Sequence, residues 1–315
     1  MNKKYALMAL FLMLVLVVAG CSNVPKIVPV SSGDMVAVPA GIFKQVEGNS
    51  NFNHTISAFK IGKYEVTYDL WYSVSKWALA NGYNFTYLGR EGNSGIPGAI
   101  TTTAKYEPAT VFSWRDIIVW CNAYSEKSGL KPVYCADPAF KKPIRDSRFG
   151  KFGNIIDTAR GSFDNPFVNW GADGYRLPTD GEWQYAASYK DGKTWTPLNY
   201  ASGAAADCSH KDAINEVAWY SENSNRRIHP AGGKKPNALG IYDMSGNVWE
   251  WCFDWYAPYP KEAVDYRGPA SGTGRIVRGG CYGGPTEYIE VGFRSKLSPF
   301  DASHPEIGFR LAKSS

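Results

Sequence analysis

"GIYDMSGNVWEWCFDWY" (Gly240–Tyr256) is the stretch whose reading decides the fold. Val248, Trp249, Glu250, Trp251 and Cys252 alternate in character with the two-residue period of a strand, which predicts a half-buried strand. Gly246-Asn247 supplies the turn that feeds it, and the two tryptophans flank its inward face. Downstream, "RIVRGG" (Arg275–Gly280) and "IGFRLA" (Ile307–Ala312) supply two more short strands. Each carries an arginine, Arg278 or Arg310, suited to pin loops by bidentate bonds to carbonyls or carboxylates.

Working outward, "MVAVPAGIFKQV" (Met35–Val46) reads as a hairpin turning at Pro39-Ala40-Gly41, and His54–Thr67 as one long strand region. Three helices are expected. Thr67 caps a segment running to Gly82, with Leu70, Val74, Trp77 and Leu79 near helical spacing. Ser113 and Asp116 form a capping box ahead of a helix ending at Gly129, and Thr179 and Glu182 form another in "RLPTDGEWQYAASYKDG". No internal repeat is visible. Few helices, many short strands and long loops together predict one α+β domain over residues 34–315.

The N-terminus differs from this body. Asn2, Lys3 and Lys4 precede an apolar run from Tyr5 to Ala19, too short to span a bilayer comfortably. "LVVAGC" places small residues directly before Cys21, the pattern of a bacterial lipoprotein cleavage box. The order of head, apolar core and cysteine favours this over an ordinary signal peptide or a buried apolar strand. Residues 1–20 are therefore expected to be a removed leader, Cys21 the lipidated residue, and 21–33 a tether. The expected location is extracytoplasmic and membrane-anchored, on the outer surface.

The chain has 11 Trp, 20 Tyr and 32 Gly, a mix that suits irregular backbone stapled by large aromatics. Its formal charge of +5 drops by two lysines to +3 without the leader, and no Lys/Arg run suggests nucleic acid. Without Cys21, five cysteines remain, so at least one thiol is free or pairs with another chain. No CxxC and no closely spaced histidine pair occurs, so no metal motif is present. Asp243, Glu250 and Asp254 suggest turns and charge pairs rather than acid-base work.

"YEVTYDLW", "GYRLPTDGEWQYAA", "PNALGIYDMSGNVWEW", "RIVRGG" and "IGFRLA" together resemble the formylglycine-generating-enzyme (sulfatase-modifying factor) branch of the C-type lectin fold, from about Met35 to Ala312. In that family the oxidising centre is a pair of copper-binding cysteines a few residues beyond "RGG". The corresponding positions here are Gly284 and Ile289, and Cys281 stands where the family tends to have serine. A single sulfur cannot supply a bis-thiolate site. "DAINE" (Asp212–Glu216) leaves open a structural calcium, which lectin-fold relatives often hold; no other cofactor is expected.

The C-terminal grammar also resembles the variable proteins of diversity-generating retroelements. There, adenine-directed mutagenesis rewrites codons on a lectin-like scaffold between "RGG" and "IGFR". An AAC codon with both adenines randomised cannot encode Lys, Gln, Glu, Met or Trp, which excludes Glu287, Glu290, Lys296 and Glu306. It permits Tyr282, Gly283, Gly284, Pro285, Thr286, Tyr288, Ile289, Val291, Phe293, Ser295, Leu297, Ser298, Phe300, Ala302, Ser303 and His304 as a ligand patch within 281–306. Tyr288, Phe293 and Phe300 are the expected anchors. The resemblance implies a monomeric, non-catalytic binder of a protein or other macromolecule; a formylglycine-generating oxidase acting on a sulfatase-type cysteine is the alternative.

Overall fold

Three side-chain hydroxyls set where the helices begin. Thr67 Oγ1 accepts from Leu70 N, Ser113 Oγ from Asp116 N at 3.2 Å, and Thr179 Oγ1 from Glu182 N at 3.1 Å. Asp116 and Glu182 return the bond to the cap amides, completing both capping boxes. The computed structural model describes residues 34–47, 50–148 and 154–315. The expected leader, Cys21 and the tether lie outside them.

In chain order, β1 (Met35–Val38), β2 (Gly41–Glu47), β3 (Ser50–Ile56) and β4 (Phe59–Gly62) lead into α1 (Tyr68–Ala80). Two-residue strands β5 (Arg90–Glu91) and β6 (Ala109–Thr110) precede α2 (Trp114–Lys127). β7 (Tyr134–Cys135), β8 (Phe167–Val168), α3 (Asp180–Ser188) and the single turn α4 (Lys211–Asn215) follow. The C-terminal part holds β9 (Trp249–Trp255), β10 (Glu262–Val264), β11 (Arg275–Arg278), β12 (Arg294–Leu297), β13 (Ile307–Gly308) and β14 (Ala312–Ser314). Few helices and many short strands make this an α+β protein, as expected.

The strands pair far from their sequence neighbours. A sheet ordered β1-β4-β14 ties the start of the domain to its end, and β12-β11-β9-β13 forms the central sheet. Two expectations change here. Residues 35–46 are not a hairpin, because β1 pairs with β4 while β2 pairs with β3 in another sheet. The region 54–67 is not one strand; it breaks at Ser57-Ala58, where Asp265 accepts from Ser57 N and Oγ and holds the bend.

β9 is also not half-buried: all seven residues are buried. Glu250 lies inside because Arg310 grips it with Nε at 2.7 Å and Nη2 at 2.6 Å, and Trp183 Nε1 donates to it at 2.7 Å. A charge buried with such bidentate pairing no longer needs water. Helices α1 and α2 pack through Trp71 and Trp120, whose rings stack 5.3 Å apart, and Phe309 closes edge-on against both. The last strands are thereby sealed onto the first helices, and the connections from β11 to β12 and from β12 to β13 reach the surface.

Candidate functional site

The base of the C-terminal patch is built by backbone packed on backbone. Gly246 has φ +79°, and a Cβ there would sit 2.1 Å from the Trp219 carbonyl oxygen. Its amide donates to Gly279 O at 2.7 Å. Gly280 has φ +70°, and a Cβ would lie 2.7 Å from Tyr288 O. Only glycine tolerates both the conformation and the approach, which explains why "GN" and "RGG" bracket the site.

Groups from outside the patch then hold its main chain. Tyr282 N donates to Asn247 O at 2.8 Å, and Ser224 Oγ donates to Tyr282 O at 2.7 Å. Ser221 N reaches Gly284 O at 3.1 Å, and Ser245 Oγ reaches Ile289 O at 2.7 Å. Val291 N and Gly292 N, each at 2.9 Å, donate to Tyr200 O and Leu198 O. Arg278 Nη1 donates to Phe293 O at 2.9 Å while its Nε holds Asp180 at 2.6 Å. These bonds use patch carbonyls and amides, so they persist whatever side chain a patch residue carries, proline at the donating positions Tyr282 and Val291 excepted.

The side chains divide into three groups. Gly283, Pro285, Tyr288 and Ser303 are exposed; Tyr282, Thr286, Phe293, Ser295, Leu297, Ser298, Phe300 and His304 are half-buried. Gly284, Ile289, Val291 and Ala302 are buried and cannot meet a ligand as side chains. The codon filter admitted them because it tests residue type and not position. Ile289 instead packs with Ala201, Ile214 and Tyr220, and Val291 with Trp183 and Ile276.

Two of the expected anchors converge. Tyr288 and Phe293 lie 4.8 Å apart, and both flank Trp249, at 5.6 and 5.9 Å. This aromatic shelf borders a cleft of about 280 Å³ lined by Trp249, Cys281, Tyr282, Pro285, Tyr288 and Glu306, among others. Phe300 stands apart, over the Arg115 guanidinium at 5.5 Å. Sequence reasoning missed Trp249, which it placed wholly in the core. Its position as the first strand residue after the Gly246 turn was the available signal.

The donor set for oxidative chemistry does not fit. At the two expected copper positions, Gly284 has no side chain and Ile289 offers only hydrocarbon. Cys121, Cys135, Cys208, Cys252 and Cys281 are all free and buried. Burial pushes the Cys281 thiol up to about 11 and that of Cys208 to about 12, so neither is poised as a thiolate. Among the described residues no three His, Cys, Asp or Glu side chains are grouped to hold a metal ion. At the calcium candidate, Glu216 pairs with Lys235, and the Asn215 carbonyl accepts from Lys234 Nζ. Burial raises the carboxyl of Asp243 to about 6 and that of Asp254 well above its usual range. Neither lines the cleft.

Residues 22–315 match the model of the sulfatase-modifying factor enzyme 1-like domain. The chain belongs to that family. Within it, the chain is 33% identical over 303 residues to a chaperone protein, LppX, of Paenibacillus barcinonensis, covering 90% of each. It is 34% identical over 159 residues to the formylglycine-generating enzyme of Streptomyces coelicolor, covering 46% of this chain and 48% of that one. Among solved structures, Treponema denticola variable protein 1 superposes with a TM-score of 0.68 at 31% identity, over 89% of this chain and 95% of that one. CarF superposes with a TM-score of 0.67 at 26% identity, over 90% and 98%. The family thus includes an enzyme and a variable protein, and the C-type lectin fold of the formylglycine-generating type is shared.

Proposed function

We propose that this protein is a lipid-anchored, extracytoplasmic binding protein that recognises a macromolecular ligand through the accessible residues of the patch and performs no catalysis there. One observation carries the reading. The patch main chain is fastened by Asn247, Ser224, Ser245, Tyr200, Leu198 and Arg278, none of which belongs to the patch. Exposed side chains such as Pro285, Tyr288 and Ser303 can then vary at little cost, and the half-buried Tyr282, Thr286 and Phe293 vary on a main chain that is held independently of them. The Tyr288–Phe293–Trp249 shelf provides contact area at low entropy cost. Likeness to a variable protein supports hypervariability of these positions.

The long match to a protein called a chaperone favours a related second reading, in which the shelf takes hold of polypeptide. Anchoring rests on the Cys21 pattern; among the described residues no helix is long and apolar enough to cross a membrane. An oxidase reading would need a second thiolate beside Cys281, and the matching positions hold Gly284 and Ile289.

The test reads DNA. A near-copy of codons 281–306, carrying adenines at the permitted positions and lying beside a reverse transcriptase gene, is the expected result. Absence of that copy, with substitutions among isolates spread equally over frame and patch, would refute hypervariability.

A further inference from the structure

A second cavity, of about 700 Å³, lies at the other end of β9 from the patch. Trp249 borders the patch cleft, while Phe253 and Trp255 of the same strand line this cavity. At about 3.3 Å per strand residue, four to six residues separate the two by roughly 13–20 Å. The cavity has an aromatic floor of Trp170, Phe253 and Trp255, with Trp170 edge-on to Phe253 at 5.2 Å. Three arginines join it, Arg160, Arg267 and Arg275, and no Asp or Glu is among its lining residues.

Three carboxylates lie nearby: Asp254 is buried behind Arg275 and accepts from Asp180 N through one oxygen, and the other two are engaged. Asp164 is held bidentately by Arg115 at 2.6 Å on each oxygen, and Asp265 accepts from Ser57. Among the described residues neither Arg160 nor Arg267 forms an ion pair. Arg160 donates to the neutral Asn165 side chain at 3.3 Å, and Arg267 lies over Trp170 at 4.0 Å. Asp265 acts on the Arg267 charge without a direct ion pair, so both guanidinium groups keep donors free for a ligand.

Two deeply buried donors on the cavity wall also lack acceptors. Trp255 and Arg275 are 2% and 1% exposed, yet Trp255 Nε1 and Arg275 Nε have no hydrogen-bond partner. Arg275 donates through Nη1 to Phe253 O and through Nη2 to Asp164 O and is clamped between Trp114 at 3.9 Å and Trp255 at 3.7 Å, so only its Nε is left unpaired. A buried donor left unpaired costs about 1–3 kcal/mol; these two atoms are closed to solvent, so a ligand oxygen would recover that cost only once the wall side chains shift to admit it. The lining thus offers donors and positive charge around a flat apolar floor.

We propose that this cavity binds a ring-bearing carboxylate, with the ring on the Trp170–Phe253–Trp255 floor and the carboxylate towards Arg160 and Arg267. A carboxylate answers the planar fork of either arginine with paired bonds, Arg275 adds positive charge from behind, and the ring displaces water from the aromatic wall. This site is independent of the patch, and its failure would leave the reading of the patch untouched.

The test is calorimetric titration of the full described domain with 2-naphthoate, its neutral isostere 2-naphthamide, and acetate as a ringless carboxylate. Saturable 1:1 binding of naphthoate is expected, with the amide and acetate each weaker by at least about tenfold. Arg160→Gln with Arg267→Gln, both at exposed positions, is expected to weaken naphthoate by about tenfold or more with an unchanged melting temperature. Trp255→Phe keeps a ring but removes the unpaired N–H, and should weaken binding by about threefold or more. Tyr288→Ala should not alter it. Equal binding of amide and acid, unchanged affinity in the double variant, or no saturable binding would each overturn the proposal.

Discussion

Truncating Arg278 to alanine should loosen the patch from beneath, and its cost can be worked from the contacts. The side chain is fully buried and makes bonds to Asp180 at 2.6 Å, Phe293 O at 2.9 Å and Tyr259 Oη at 3.0 Å. Removing one partner of a buried ion pair costs about 3–5 kcal/mol, because the other charge stays inside uncompensated. Asp180 would keep Arg294 at 3.3 Å, Gln45 at 3.0 Å and Tyr259 at 3.0 Å, which places the loss towards the lower end of that range. At about 2–4 °C per kcal/mol for a domain of this size, a loss of about 3 kcal/mol lowers the melting temperature by roughly 6–12 °C. Tyr288→Ala, at a residue 40% exposed, forfeits only its ring contacts and costs about 1 kcal/mol. Denaturant titration followed by tryptophan fluorescence measures both variants. Hydrogen exchange at the Val291 and Gly292 amides should accelerate in Arg278→Ala alone. A loss below about 1 kcal/mol in Arg278→Ala, or an equal loss in Tyr288→Ala, would refute the division into frame and surface.

Gly246→Ala should cost more than about 2 kcal/mol by chemical denaturation, because the residue sits at φ +79° and its Cβ would strike Trp219 O at 2.1 Å. Asp243 should govern part of the pH dependence. Its folded carboxyl is raised from 3.8 to about 6, so the native state binds the proton more tightly and this group's contribution is lost as pH rises from about 4 to about 6. Asp243→Asn should therefore match the wild type near pH 4 and exceed it at pH 8 by on the order of 3 kcal/mol, measured by urea titration at both pH values. All five described cysteines should resist a thiol reagent at neutral pH until the domain unfolds; fast native labelling of Cys281 would contradict its buried, protonated state.

The parts of the fold legible in sequence were those fixed by local chemistry. The hydroxyls of Thr67, Ser113 and Thr179 announced three helices because a cap bonds within its own turn. Arg278 and Arg310 were recognisable as staples because an arginine set between short strands has few other uses. What stayed hidden depends on distant partners. Met35–Val46 looked like a hairpin, but Met35–Val38 finds Phe59–Gly62 and Gly41–Glu47 finds Ser50–Ile56. Glu250 marked an outward face only until Arg310, 60 residues away, enclosed it. Within the patch, Ile289 and Val291 passed a filter of residue type, and only tertiary packing shows that they face inward. The cleft residue Trp249 was passed over for the converse reason: a tryptophan on a core strand reads as core, and only its place directly after the Gly246 turn hinted that its edge borders a groove.

The most direct measurement is a displayed library in which only Tyr282, Pro285, Thr286, Tyr288, Phe293 and Ser303 are randomised with NNC codons, sorted by a protease for folded domains. Independence of the frame from the patch predicts that most members survive and that the surviving residues are broadly mixed at all six positions. Survival of only wild-type-like sequences, to the same degree as in a matched library at Arg278, Asn247 and Gly280, would contradict it.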